Sequence, residues 1–155
     1  MTPDTRHMDT RHILLIEDNR GDVWLIEECL RSRGIKYRLT HCETVDSAIR
    51  IVESYGTNGA EAPDLILLDY NLPRGEAVSV LSAAIRNPAL ANTPKAVITS
   101  SVAPKDRQDS LEAGADTYIY KPGDLDGFLT QVGEKISELL GINSHPMSAV
   151  CAPPP

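Results

Sequence analysis

Short apolar runs alternate along this chain with longer segments in which apolar residues recur every three or four positions. Residues 12–17 (HILLIE) and 64–69 (DLILLD) read as strands buried on both faces. Residues 37–42 (YRLTHC), 96–99 (AVIT) and 117–120 (TYIY) are shorter or more polar strand candidates. Residues 22–33 carry Val23, Ile26 and Leu30 on one helical face, with Gly34 as the stop signal. Thr44 caps a second helix running to Tyr55, with Ala48, Ile51, Val52 and Tyr55 on one side. Residues 77–86 place Val78, Leu81 and Ile85 at helical spacing, and Pro88 lies just beyond. Residues 105–113 make a polar helix ended by Gly114. Residues 125–140 are the most amphipathic stretch, with Leu125, Phe128, Leu129, Val132, Ile136, Leu139 and Leu140 in phase and Gly141 closing it.

These are five strand–helix units in series. Apolar strands separated by helices predict a parallel five-stranded sheet covered on both faces, and right-handed crossovers make it an open, doubly wound α/β domain. The pattern spans residues 12–141. Residues 1–11 and 142–155, the latter ending in three prolines, show no periodicity and are expected to be flexible tails. Roughly 130 residues suit one domain with a real core and are too few for two.

Composition narrows the class. The chain has 155 residues, 41% of them apolar and 24% charged, which is neither disordered nor fibrous. The longest apolar runs, ILLI and LILL, fall far short of the ~18 residues of a membrane span, and no apolar stretch follows the charged N-terminus as a secretory signal would. A cytoplasmic protein with no membrane partner is expected. With 15 Lys and Arg against 22 Asp and Glu, the net charge is −7, a surface that repels nucleic acid. Cys29, Cys42 and Cys151 form no CxxC pair, and the four histidines are scattered, so neither a disulfide framework nor a zinc site is readable.

In open α/β sheets, ligands bind beyond the carboxyl ends of the strands. The first strand here ends in Glu17-Asp18, the third in Asp69, the fourth in Thr99-Ser100-Ser101 and the fifth in Lys121-Pro122. Glu17, Asp18, Thr99 or Lys121 alone is ordinary turn or surface chemistry, whereas Asp69, closing an apolar strand, needs a partner beside the core. Together, at matched strand ends, they deliver three carboxylates, a hydroxyl and an ammonium to one edge. Carboxylates within ~5 Å of one another repel by roughly 3 kcal/mol per pair at an effective dielectric near 20. Such a site holds protons or cations, and oxygen ligands without His or Cys favour Mg²⁺. An Asp flanked by Mg²⁺, an ammonium and a hydroxyl is equipped to attack a phosphoryl group.

Glu17-Asp18-Asn19, Asp69 with Asn71-Leu72-Pro73, Thr99, and GADTYIYKP (114–122) together resemble the receiver domain of bacterial two-component response regulators. The likeness covers roughly residues 11–141. It implies a flavodoxin-like (βα)₅ fold with strand order 2-1-3-4-5. It implies phosphorylation of Asp69 by a histidine kinase or phosphotransfer protein, so the chain is a phosphoacceptor signalling protein and not an enzyme acting on a separate substrate. By position, Asp18, Asp69 and the main-chain carbonyl of Asn71 hold Mg²⁺, with Glu17 assisting through water. Thr99 and Lys121 contact the phosphoryl group, Thr99 and Tyr118 form the switch pair, and Ser100 tunes access of water. The segments EDNRGDVWLIEECL and LILLDYNLP resemble single-domain regulators that partner bacterial phytochrome-type kinases. A stand-alone regulator that signals to a downstream protein through the helix 4–strand 5–helix 5 face is therefore expected, and a homodimer is left open.

The sequence departs from the family pattern in three places. Ala77 stands where a Gly usually follows the phosphorylated Asp by eight residues, with Gly75 nearby; Ser100 replaces a frequent Ala; and residues 56–62 are somewhat long. Other readings fare worse. A haloacid-dehalogenase-type phosphohydrolase needs a second Asp where this chain has Asn71, and a larger body. A nucleotide-binding domain needs a glycine-rich phosphate loop that is absent. A pseudo-receiver used only for docking is expected to have lost an acid or the Lys, and all are present.

Overall fold

Five parallel strands, β1 (Arg11–Ile16), β2 (Tyr37–Cys42), β3 (Leu65–Asp69), β4 (Lys95–Thr99) and β5 (Thr117–Tyr120), form one sheet in the order β2-β1-β3-β4-β5. The structure, a computed structural model, describes residues 10–142, so the expected tails lie outside the described residues except for residues 10, 11 and 142. Between the strands run α1 (Arg20–Ser32), α2 (Val45–Ser54), α3 (Ala77–Arg86), α4 (Pro104–Glu112) and α5 (125–139). A 3₁₀ turn at Pro88–Leu90 joins α3 to β4.

Alternation along the central strands builds two cores. Leu14, Ile16, Ile66, Leu68 and Val97 face α2 and α3, whereas Ile13, Leu15, Leu65, Leu67, Ala96 and Ile98 face α1 and α5. All four apolar residues of β1 are fully buried, each worth about 1.5–3 kcal/mol relative to exposure. This two-sided burial is why β1 and β3 read as continuous apolar runs. The register pairs Ile16 with Leu68 and Asp69 with Ile98. It brings Glu17 and Asp69 to the same sheet edge.

The element boundaries shift slightly from those expected. The first strand starts at Arg11 rather than residue 12, and the Arg11 guanidinium donates to the Leu140 carbonyl at 2.9 Å. Helix α1 starts at Arg20 rather than residue 22, because Asn19 caps it by accepting from the Asp22 amide. In α3 the expected face is displaced. Val80, Leu81 and three alanines are buried while Ile85 is 55% exposed, lying over Gly114, where a Cβ would meet Ile85 Cδ1 at 2.6 Å.

The last helix is interrupted by a π-helical segment, Phe128–Val132. Phe128, Val132, Ile136 and Leu140 recur every fourth residue and are all buried, a spacing that a regular 3.6-residue helix would rotate off the core. The wider turn keeps them in line, and Arg33, just past the end of α1, donates from Nη2 to the Thr130 carbonyl at 3.1 Å. The turn after Pro73 is made by Gly75 (φ +146°), where a Cβ would meet Val45 at 2.9 Å. Gly75 thus supplies the backbone freedom in the loop after β3, and Ala77 opens α3 as a buried residue.

Candidate functional site

The carboxyl ends of β1, β3, β4 and β5 converge on one cluster. Glu17 follows β1, fully buried, and its amide donates to the Cys42 carbonyl at 2.9 Å while its own carbonyl accepts from His41 Nε2 at 2.6 Å. Asp18 lies beside it, exposed at the rim. Asp69 closes β3, buried, and Oδ1 accepts from the Asn71 amide at 3.1 Å, which folds the following loop back over the carboxylate. One carboxylate oxygen from each of Glu17, Asp18 and Asp69 lies within 4.8 Å of the others. Lys121, following β5 and 9% exposed, places Nζ 2.8 Å from Glu17 Oε1, 2.8 Å from Asp22 Oδ2 and 3.6 Å from Asp69 Oδ2.

One ammonium faces three carboxylates, and Asp18 adds a fourth to the cluster, so negative charge is in excess. The Glu17 carboxyl is pushed up to about 7: burial does most of this, its hydrogen bond with Asp69 adds to it, and Lys121 pulls the other way. Burial drags the Lys121 ammonium down, but hydrogen bonds to Asp22 and Glu17 and the charge of Asp69 outweigh it, and its pKa rises. Lys121 is therefore a fixed cation. The residual repulsion and an oxygen-only donor set fit a hard divalent cation. Cys29 and Cys42 are buried thiols pushed up to about 11 by desolvation, and they take no part in the site.

Thr99, fully buried at the end of β4, accepts at Oγ1 from the Ser101 amide (3.0 Å) and from Asn71 Nδ2 (3.2 Å). With both acceptor positions used, its own O–H is left to donate. Tyr118 lies half-buried on the same face as Val97, and its hydroxyl donates to the Ser101 carbonyl at 3.2 Å. The ring thus points at the loop after β4. Ser100 is exposed next to Thr99.

The structure brings together Glu17, Asp18, Asp69, Asn71, Thr99 and Lys121, and sets the Tyr118 hydroxyl beside Thr99 and on the Ser101 carbonyl. Sequence reasoning missed Asp22 and Ser101. Asp22 looks like an ordinary acid in the first turn of a helix, where the macrodipole favours negative charge. Ser101 looks like turn chemistry. It holds the Thr99 hydroxyl through its amide, the Tyr118 hydroxyl through its carbonyl and Asp106 Oδ2 through Oγ at 2.6 Å. The Ser101–Thr99 and Ser101–Asp106 bonds are local turn chemistry, but the partners that matter across the site, Lys121 for Asp22 and Tyr118 for Ser101, come from β5 or just after it and leave no local signal.

A five-stranded sheet in this order, with a carboxylate cluster at β1 and β3 and a buried lysine after β5, defines a receiver-type signalling domain. The Response regulator receiver domain family matches residues 13–132, and the chain belongs to it. Response regulator Rcp1 of Synechocystis sp. is 32% identical over 114 residues, covering 73% of this chain and 78% of Rcp1. FilR2 of Methanothrix harundinacea, a probable methanogenesis regulatory protein, is 28% identical over 134 residues, 86% of each chain. Among solved structures, the phosphorylated cyanobacterial phytochrome response regulator RcpA and the Mn²⁺-bound form of Rcp1 each superpose with a TM-score of 0.74 at 30% identity, covering 84% of this chain and 94% of theirs. The receiver domain of a Pseudomonas aeruginosa PAO1 sensor histidine kinase, with magnesium in its active-site cleft, gives 0.68 at 27% identity, covering 85% and 98%. The protein is thus a two-component response regulator receiver domain, a signalling module of the kind that partners histidine kinases and that binds divalent metal in related structures. None of its described helices is long and apolar enough to cross a membrane.

Proposed function

We propose that this protein accepts a phosphoryl group on Asp69 from a histidine kinase or phosphotransfer protein, in a Mg²⁺-dependent reaction. The observation that carries this reading is the asymmetry around Asp69: acids that attract a cation on one side, Lys121 and the Thr99 hydroxyl on the other. A carboxylate oxygen of Asp69 attacks phosphorus as the bond to the donor atom breaks, and the donor keeps that electron pair. Lys121 and Thr99 offset charge on the transferring oxygens. Glu17, Asp18, Asp69 and the Asn71 carbonyl would hold Mg²⁺, which when bound supplies compensating positive charge.

Aspartyl phosphate adds charge and acceptor oxygens beside Thr99, whose hydroxyl can turn to donate to them. The signal then leaves through the α4–β5–α5 face by contact with another protein. The likeness to RcpA and Rcp1 favours a phytochrome-type kinase as donor, and such a partnership places the protein in the cytoplasm. Incubation with Mg²⁺ and acetyl phosphate, followed by intact mass, is expected to add one phosphoryl group to wild type and none to Asp69→Asn or to wild type in EDTA. Labelling of Asp69→Asn at the wild-type level would overturn the assignment.

A further inference from the structure

Lys121 has one partner that the reading above does not use. An ammonium carries three N–H donors, and here each faces a carboxylate: Glu17 and Asp22 at 2.8 Å, Asp69 at 3.6 Å. Asp22 is not occupied in capping its own helix, since Asn19 is the cap and engages only the Asp22 main-chain amide. Its side chain instead crosses from the first turn of α1 to the end of β5, a contact between residues 99 apart in sequence. Glu17 is inaccessible, whereas the Asp22 side chain is 25% exposed. The second anchor therefore lies on the solvent side of the ammonium and draws it outward from the buried acids.

Without that outward anchor, the remaining carboxylates in reach are Glu17 and Asp69, and a full-contact ion pair with Asp69 would occupy an oxygen that has to attack phosphorus. We infer that Asp22 is a positioning residue: it holds the Lys121 ammonium back from Asp69 and leaves its third N–H directed toward the space where the transferred phosphoryl oxygens come to lie. This rests on Asp69 being the phosphoacceptor. In the step concerned, an Asp69 oxygen forms a bond to phosphorus while the bond from phosphorus to the acetate oxygen of acetyl phosphate breaks. Acetate leaves with the electron pair, and Lys121 keeps its proton throughout.

The test uses the full chain as wild type, Asp22→Ala, Asp22→Asn and Asp22→Glu, with Asp69→Asn as the unlabelled control. The first readout is the rate of labelling by acetyl phosphate with Mg²⁺. The second is the ¹⁵Nζ NMR signal of Lys121 and the exchange of its ammonium hydrogens in EDTA, which a general loss of packing elsewhere would not move. Asp22→Ala is expected to label about tenfold more slowly, a displacement of the ammonium by ~1 Å being enough for that. Its Lys121 signal should shift with faster hydrogen exchange, and Asp22→Glu should restore both to within about threefold of wild type. Asp22→Asn serves for the same comparison if the alanine variant does not fold. Wild type that fails to label would sink the phosphoacceptor reading itself. Wild type that labels, with Asp22→Ala at the wild-type rate, or slower with an unchanged Lys121 signal, or with no recovery in Asp22→Glu, overturns the role of Asp22 alone.

Discussion

Replacing Glu17 with Gln isolates the electrostatic strain of the metal-free site. The carboxyl is fully buried, and its pKa rises from 4.5 to about 7, with burial as the main cause and Asp69 adding to it. At ~1.4 kcal/mol per pH unit, the ionised form of Glu17 is disfavoured in the folded protein by about 3 kcal/mol. Because the folded-state value is raised, Glu17 contributes stability that is fully present below pH ~4.5 and lost as pH rises through about 7. Lys121 is raised from 10.5 and stays charged across that window, so it adds no slope there. Glutamine copies the protonated carboxyl in shape and in neutrality. In EDTA at pH 8, Glu17→Gln is therefore expected to be more stable than wild type by about 3 kcal/mol, or about 10 °C in thermal midpoint. By pH 5 the gap should shrink to under about 1 kcal/mol, since wild-type Glu17 is then protonated when folded. Urea unfolding from pH 5 to 8 measures this directly. A variant that is no more stable than wild type at pH 8, or a gap that widens as pH falls, would refute the picture of a strained acidic cluster. Adding Mg²⁺ should stabilise wild type more than the variant, because the variant has already lost part of the charge that the cation offsets.

Two other expectations follow from particular contacts. Thr99→Ala removes the acceptor shared by Asn71 and Ser101, so phosphorylation of Asp69 should persist, while the change in amide hydrogen exchange over residues 105–140 seen on phosphorylating wild type should vanish; a full wild-type change in the variant would rule out transmission through Thr99. Gly114→Ala places a Cβ at φ +115° and within 2.6 Å of Ile85, so it should cost about 1–2 kcal/mol in urea unfolding; Ile85→Ala in the same chain should recover only the part due to contact, and a single variant as stable as wild type would contradict the strain.

The sequence by itself determined the architecture and most of the site. Two-sided burial writes β1 and β3 as unbroken apolar runs, and the cap Thr44 and the stop at Gly34 are local chemistry that needs no partner. Strand ends are also local, so Glu17, Asp18, Asp69, Thr99 and Lys121 could be placed at one edge as soon as the strands were recognised. What the chain could not show is whatever depends on the separation between elements. In α3 the three alanines are buried with Val80 and Leu81 while Ile85 lies over Gly114, a face that depends on the neighbouring elements. The π-helical turn in α5 is chosen by the line of Phe128, Val132, Ile136 and Leu140 against the core, where a helical wheel drawn from sequence assumes a uniform 3.6. Above all, the recruitment of Asp22 to Lys121 and of Ser101 to Tyr118 was decided by tertiary structure. A hydrogen bond is settled within a few tenths of an ångström, and only the packing of α1 and the β4–α4 loop onto the sheet fixes those distances.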